Sequence, residues 1–240
     1  AEQSQGCSGF VEGIWRRIMP FVLSLSKDGF RTQKGFDRLS PNGYGQQLMA
    51  KLYFYYASMN AGKSSNLLQA AFNYGERGMK VMLWTAAIDN RATFGAIASR
   101  IGLHADAHRF GEGTDFFNAV SAEHETGSLA CVMIDEAQFL IEGQVWQLAR
   151  LADEVGIPVL CYGLRTDFQG NLFPGSAKLL GIADSLVELK AVCECGRKAT
   201  MNLRIDEAGR AIAAGAQTEI GGNESYLALC RKHFRERLNG

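Results

Sequence analysis

From Leu52 onward, apolar residues recur in two alternating rhythms. Continuous apolar runs, Leu52-Tyr53-Phe54-Tyr55-Tyr56, Val81-Met82-Leu83-Trp84-Thr85, Leu129-Ala130-Cys131-Val132-Met133-Ile134 and Pro158-Val159-Leu160-Cys161-Tyr162-Gly163, predict strands buried on both faces. Between them, residues 63–77, 116–125 and 141–154 carry helical spacing, the first ended by Gly78. Strands alternating with helices predict an α/β fold, a parallel sheet with helices on both faces. Residues 164–175 read as a polar loop with glycines, 185–192 as a last long strand and 226–238 as a helix after the turn Gly221-Gly222-Asn223. From Cys193 the segments shorten and metal-binding residue types gather, so a boundary near 191 separates residues 49–191 from a smaller unit, 192–240.

Residues 1–48 lack this order. They hold many Ser and Gly, no clean periodicity and the turn-like Ser40-Pro41-Asn42-Gly43-Tyr44-Gly45, so they are expected to be mostly disordered. The run 14–25 mimics the charged and apolar parts of a signal peptide, but Pro20 interrupts it and no small-residue cleavage site follows. Met49 stands immediately before the first strand and is expected to begin the working protein, with the extension outside it.

Composition adds exclusions rather than a function. The 240 residues are 47% hydrophobic and 21% charged, ordinary for a globular chain long enough to bury a full core. Lys plus Arg and Asp plus Glu both number 25, so the overall balance favours neither a nucleic-acid partner nor a membrane surface. The six cysteines are too unevenly placed for a disulfide scaffold, which points to a reducing, cytoplasmic setting. No stretch approaches the roughly 18 to 20 apolar residues of a membrane span.

Candidate chemistry begins at the end of the first strand. Ala57-Ser58-Met59-Asn60-Ala61-Gly62-Lys63-Ser64 links a strand to a helix, the setting in which loop N–H groups and a helix N-terminus cradle phosphate. Lys63 would reach the β and γ phosphates of ATP and Ser64 would sit on Mg²⁺. Ala57 stands where the usual pattern has its first Gly. At the end of the 129–134 strand, Asp135 suits the Mg²⁺ shell, leaving Glu136 free to accept a proton from an attacking hydroxyl or water. The same pair would also cap a turn at 137–140.

Cys193-x-Cys195 and Cys230-x-x-His233 make a four-ligand set suited to tetrahedral Zn²⁺. With every position filled by protein, such a site is a structural staple and not a reaction centre. Cys131 and Cys161 lie in apolar strands and read as core. His104, His108 and His124 have no partner at a telling spacing. Phe139, Tyr162 and Phe168 follow strands near the expected site, where each serves packing or offers a stacking face for a base.

Taken together, Met59-Asn60-Ala61-Gly62-Lys63-Ser64, Asp135-Glu136-Ala137-Gln138-Phe139, Gly163-Leu164-Arg165-Thr166-Asp167-Phe168 and Gly222-Asn223-Glu224-Ser225-Tyr226-Leu227-Ala228-Leu229-Cys230-Arg231-Lys232-His233 resemble the zinc-containing, cellular type of thymidine kinase, especially its bacterial members. The resemblance implies a P-loop (RecA-like) domain, a small C-terminal zinc-binding lasso domain, and transfer of the ATP γ-phosphate to the 5′-hydroxyl of thymidine or deoxyuridine. It implies Glu136 as general base, with the 57–64 loop, Asp135 and Gln138 at ATP. Met59, Phe139, Leu164 and Tyr226 would line the nucleoside pocket, Phe168 would stack on the base, and Asp89 and Arg91 would lie at the sugar and phosphate end. Residues 164–175 would be the lasso closing over the nucleoside, anchored by zinc at Cys193, Cys195, Cys230 and His233. A homotetramer inhibited by dTTP is also implied. Against this stand a nucleic-acid-dependent ATPase, since Asp-Glu-Ala-Gln is similar to a helicase box, and a zinc-stapled nucleotide-binding regulator. The first lacks a second motor lobe and a basic footprint.

Overall fold

A computed structural model describes residues 50–88, 95–217 and 225–239. The expected disorder of residues 1–48, the start at Met49, the loop at Asp89 and Arg91, and the turn at 221–223 lie outside the described residues. Leu48–Gly240 packs as one compact unit.

The first half of the chain alternates as its apolar pattern predicts. Strand β1 (Leu52–Ala57) leads through a loop to helix α1 (Lys63–Gly75), followed by β2 (Lys80–Ala86). A hairpin of β3 (Ala96–Ala98) and β4 (His104–Asp106) and the short β5 (His108–Phe110) come next; none of the three was legible as a strand. Helix α2 (Phe116–Thr126) is capped by Asp115, whose carboxylate accepts the Asn118 N–H at 3.0 Å. Then follow β6 (Leu129–Ile134), a 3₁₀ turn (Ala137–Phe139), helix α3 (Glu142–Arg150) with its wider last turn (Leu151–Val155), β7 (Val159–Leu164), α4 (Pro174–Ile182) and β8 (Ser185–Glu188).

Six strands form one sheet in the order β5-β2-β6-β7-β1-β8, and every ladder is parallel. Alternation along β1 sends Leu52 and Phe54 to one face and Tyr53 and Tyr55 to the other. The first face packs on α2, α3 and α4 through Phe116, Val120, Val145, Leu148 and Leu179. Leu67 and Leu68 of α1 cover the second. In β6, Cys131, Val132, Met133 and Ile134 are all fully buried, which explains why this strand reads as an unbroken apolar run.

Two expectations require correction. Residues 185–192 are not one strand: β8 pairs with β1, Leu189 N–H closes that ladder on Tyr56 O (2.9 Å), and β9 (Ala191–Val192) turns away to pair with β10 (Lys198–Ala199). Residues 226–238 are not one helix. Their first part is β12 (Tyr226–Leu229), antiparallel to β11 (Met201–Arg204), and only after Cys230 does helix α5 (Arg231–Asn239) begin. Tyr-Leu-Ala-Leu carries no polar position to separate a period of two from one of 3.6, so its partner strand decides. These last elements enclose a separate small core of Ala191, Cys193, Ala199, Leu203, Leu229, Cys230 and Phe234. Among the described residues no helix is long and apolar enough to cross a membrane.

Candidate active site and metal centre

The parallel ladders bring three strand ends together: Ala57 lies beside Leu164, and Ile134 beside both Trp84 and Cys161. The crevice beyond the carboxyl ends of such strands is where α/β sheets place ligands. Ala57 is the buried last residue of β1 in ordinary extended conformation, so a glycine is not required there. The left-handed turns fall later, at Asn60 (φ 61°) and Gly62 (φ 78°). Left-handed residues in a short loop turn successive N–H groups toward one centre, forming a cradle for anions. Ser58 and Lys63 are buried, and Lys63 Nζ donates to Ser58 O at 3.0 Å, spanning the loop. The loop also touches the small lobe: Ala61 packs on its core, Met59 N–H donates to Asn202 Oδ1 (2.7 Å), and Ser58 Oγ lies 3.5 Å from Ala199 O.

Ser64 Oγ donates to Asp135 Oδ2 at 2.8 Å, joining the first turn of α1 to the end of β6. Asp135 is 2% exposed, and its other oxygen accepts Glu136 N–H at 3.0 Å. Glu136 has a left-handed backbone (φ 53°), which costs a non-glycine residue about 1–2 kcal/mol. Its carboxylate accepts Gln138 Nε2, and Gln138 Oε1 accepts Leu164 N–H at 3.0 Å. Gln138 is therefore a buried brace between Glu136 and the end of β7. The 3₁₀ turn that carries it is pressed by α4, where a Cβ on Gly175 would lie 2.6 Å from Ala137 O and 2.7 Å from Leu140 O. Only glycine permits that approach.

In the small lobe, one ligand atom each from Cys193, Cys195, Cys230 and His233 lies within 4.8 Å of all the others. Cys195 Sγ to Cys230 Sγ is 3.9 Å and Cys193 Sγ to His233 Nδ1 is 3.4 Å. Ordinary Zn–S and Zn–N lengths in a tetrahedron give edges of about 3.8 and 3.6 Å, so the set fits zinc. His233 turns Nδ1 to the cysteines and leaves Nε2 3.9 Å from Glu236. Burial works to raise the Cys193 thiol, but the backbone N–H groups of Cys195 and Cys230, with His233, outweigh it and draw it down to about 6.

The thymidine kinase family model matches residues 50–234. The chain belongs to the thymidine kinase family. It is 72% identical over 190 residues to the thymidine kinase of Novosphingobium aromaticivorans, a match covering 79% of this chain and 99% of that one. Identity to the thymidine kinase of Zymomonas mobilis is 62% over 191 residues, 80% of this chain and 99% of the relative. For the thymidine kinase of Aliivibrio fischeri it is 58% over 190 residues, 79% and 99%.

Within this thymidine kinase family member, the residues expected around a nucleoside fall in two groups. Half-buried Phe139 meets Phe173 edge to face at 5.9 Å, a buried partner that was not anticipated. Phe168 and Tyr226 are joined through Arg204, whose guanidinium lies 3.9 Å from the Phe168 ring centre while Nε donates to Tyr226 Oη at 2.9 Å. One face of the Phe168 ring is thus taken. Residues 164–175, expected as the lasso, are bonded within themselves: Thr166 bridges Leu172, and Asp167 Oδ1 accepts both Gln169 and Asn171 N–H at 2.9 Å. Asn202, also missed, donates from Nδ2 to Thr166 O (2.9 Å) while holding Met59, so it ties the phosphate loop to the 164–175 loop. A lone amide inside the apolar run Met201-Asn202-Leu203 was its only signal.

Proposed function

We propose that this protein transfers the γ-phosphate of ATP to the 5′-hydroxyl of thymidine, and of deoxyuridine, giving dTMP for DNA synthesis by nucleotide salvage. The observation that carries the reading is the division of labour between adjacent carboxylates. Asp135 is committed to Ser64, while Glu136, turned by its left-handed backbone, is braced by Gln138. Glu136 takes the 5′-hydroxyl proton as that oxygen attacks the γ-phosphorus, and the bond to the bridging oxygen of ADP breaks. Lys63 and the loop amides of 57–64 hold the donor and offset charge on the transferring group. Ser64 and Asp135 would hold Mg²⁺, which supplies further charge neutralisation at the phosphates. Met59, Phe139, Leu164, Phe168 and Tyr226 would line the nucleoside pocket, with Asp89 and Arg91 at its sugar end.

In this reading residues 49–191 are the nucleotide-binding domain and 192–240 a zinc-stapled domain. Zinc at Cys193, Cys195, Cys230 and His233 shapes the pocket wall and takes no part in the chemistry. The enzyme is cytoplasmic, homotetrameric and inhibited by dTTP, and uses no nucleic acid or membrane partner. The test is a nucleoside panel incubated with ATP and Mg²⁺ and separated by chromatography. Formation of dTMP and dUMP is expected. ATP turnover that requires DNA, with no dTMP, overturns the proposal.

A further inference from the structure

The phosphate loop is also contacted from the β3–β4 hairpin. The turn between β3 and β4 is closed by Ser99 N–H to Leu103 O (2.7 Å), Leu103 N–H to Ser99 Oγ (3.0 Å) and Gly102 N–H to Ser99 O (3.1 Å). Its hairpin is anchored, because Ile97 is buried in the cluster that contains Leu67 and Leu68 of α1. From this fixed turn Arg100 reaches the phosphate loop, and its Nη1 donates to Asn60 Oδ1 at 2.7 Å. Among the described residues only Asn60 and Glu136 are non-glycine residues with a left-handed backbone. Glu136 is buried and braced by Gln138. Asn60 is exposed, and its side chain accepts the Arg100 hydrogen bond.

We propose that Arg100 is a positioning residue for the donor nucleotide. It locks Asn60 in the left-handed turn that makes the loop amides converge, and it fixes a positive charge at the lip where the triphosphate of a nucleoside triphosphate enters. This rests on the phosphoryl-transfer reading above. The chemistry of the contact is suited to both tasks: a guanidinium has N–H donors to spare after one bond to an amide oxygen, and it stays charged at every working pH. Because the clamp acts on the phosphate loop, its loss falls on the donor and spares the nucleoside.

The test compares wild type, Arg100→Ala, Arg100→Lys, Asn60→Gly and the Arg100→Ala/Asn60→Gly double variant. Steady-state kinetics and binding of a non-hydrolysable ATP analogue are both measured. Loss of one charged hydrogen bond predicts that Arg100→Ala weakens KM for ATP and analogue binding about tenfold, with KM for thymidine changed less than about twofold. Arg100→Lys recovers part of the loss, having the charge without the planar fork. In the Asn60→Gly background Arg100→Ala costs clearly less, since glycine adopts the left-handed turn unaided. Unchanged donor binding in folded Arg100→Ala overturns the proposal, as does an equal cost in both backgrounds. Absence of dTMP from the wild type would instead overturn the phosphoryl-transfer reading, and analogue binding would still decide the role of Arg100.

Discussion

The parallel-sheet region and the Cys/His lobe solve the same problem with different means. The sheet buries apolar side chains on both faces against four helices, in two extended clusters. Among the described residues, the lobe from Ala191 onward has two short antiparallel ladders, one nine-residue helix and a core of seven buried residues, two of which are cysteines of the candidate metal set. So small a core supplies little stability by itself, and a metal that binds only the folded arrangement adds its binding energy to folding. The two regions meet at the phosphate loop, through Asn202, Ala199 and Ala61. In the proposed reading, chemistry belongs to the sheet region and the shape of the pocket wall to the smaller lobe.

This contrast can be broken at four points. Glu136→Gln should have the largest effect, lowering kcat by about 10²- to 10⁴-fold while thymidine affinity stays near wild type. Unchanged turnover in a folded variant would remove Glu136 as the base. Cys195→Ser should release the metal and raise hydrogen exchange in residues 191–204 and 226–237, leaving β1, β6 and β7 protected. Full zinc content by elemental analysis would refute the ligand assignment. Asn202→Ala should leave both regions folded but loosen their junction: Met59 N–H loses its buried partner, at a cost of about 1–3 kcal/mol read as a lower unfolding midpoint. A midpoint equal to wild type would show that the junction is held elsewhere.

The smallest effect is expected on the sheet region's surface. Lys80, by its hydrogen bond and charge, holds the Glu123 carboxyl below its ordinary 4.5. A carboxyl depressed in the folded state adds stability above that ordinary value and loses it as pH falls through the lowered one. Lys80→Ala should therefore flatten this part of the acid dependence of the urea midpoint, without altering activity. An acid profile identical to wild type would show that the pair contributes nothing.

Legibility of the fold follows burial. Strand β6 was readable to the residue because both faces are covered, and Asp135 and Glu136 were readable because they end it. Helix α4 was missed, although Pro174 at its first position is a start signal, because Gly175 and Ser176 have the composition of a loop. Both are buried against neighbouring elements that no local pattern reveals. Tyr226 was assigned to a helix for a related reason: β12 exists through its pairing with β11, more than twenty positions away.

The site divides in the same way. Sequence alone singled out the 57–64 loop, the paired carboxylates and the Cys193, Cys195, Cys230 and His233 set, because each is a short motif with particular residue types at fixed spacing, and the structure gathers the last four within 4.8 Å. Only the tertiary structure could bring Asn202 to Met59, Arg204 to Phe168, Phe173 to Phe139 and Arg100 to Asn60. These are contacts between segments distant in the chain. They depend on which strands pair, where the sheet ends and how closely α4 can approach, quantities fixed by packing and backbone hydrogen bonding.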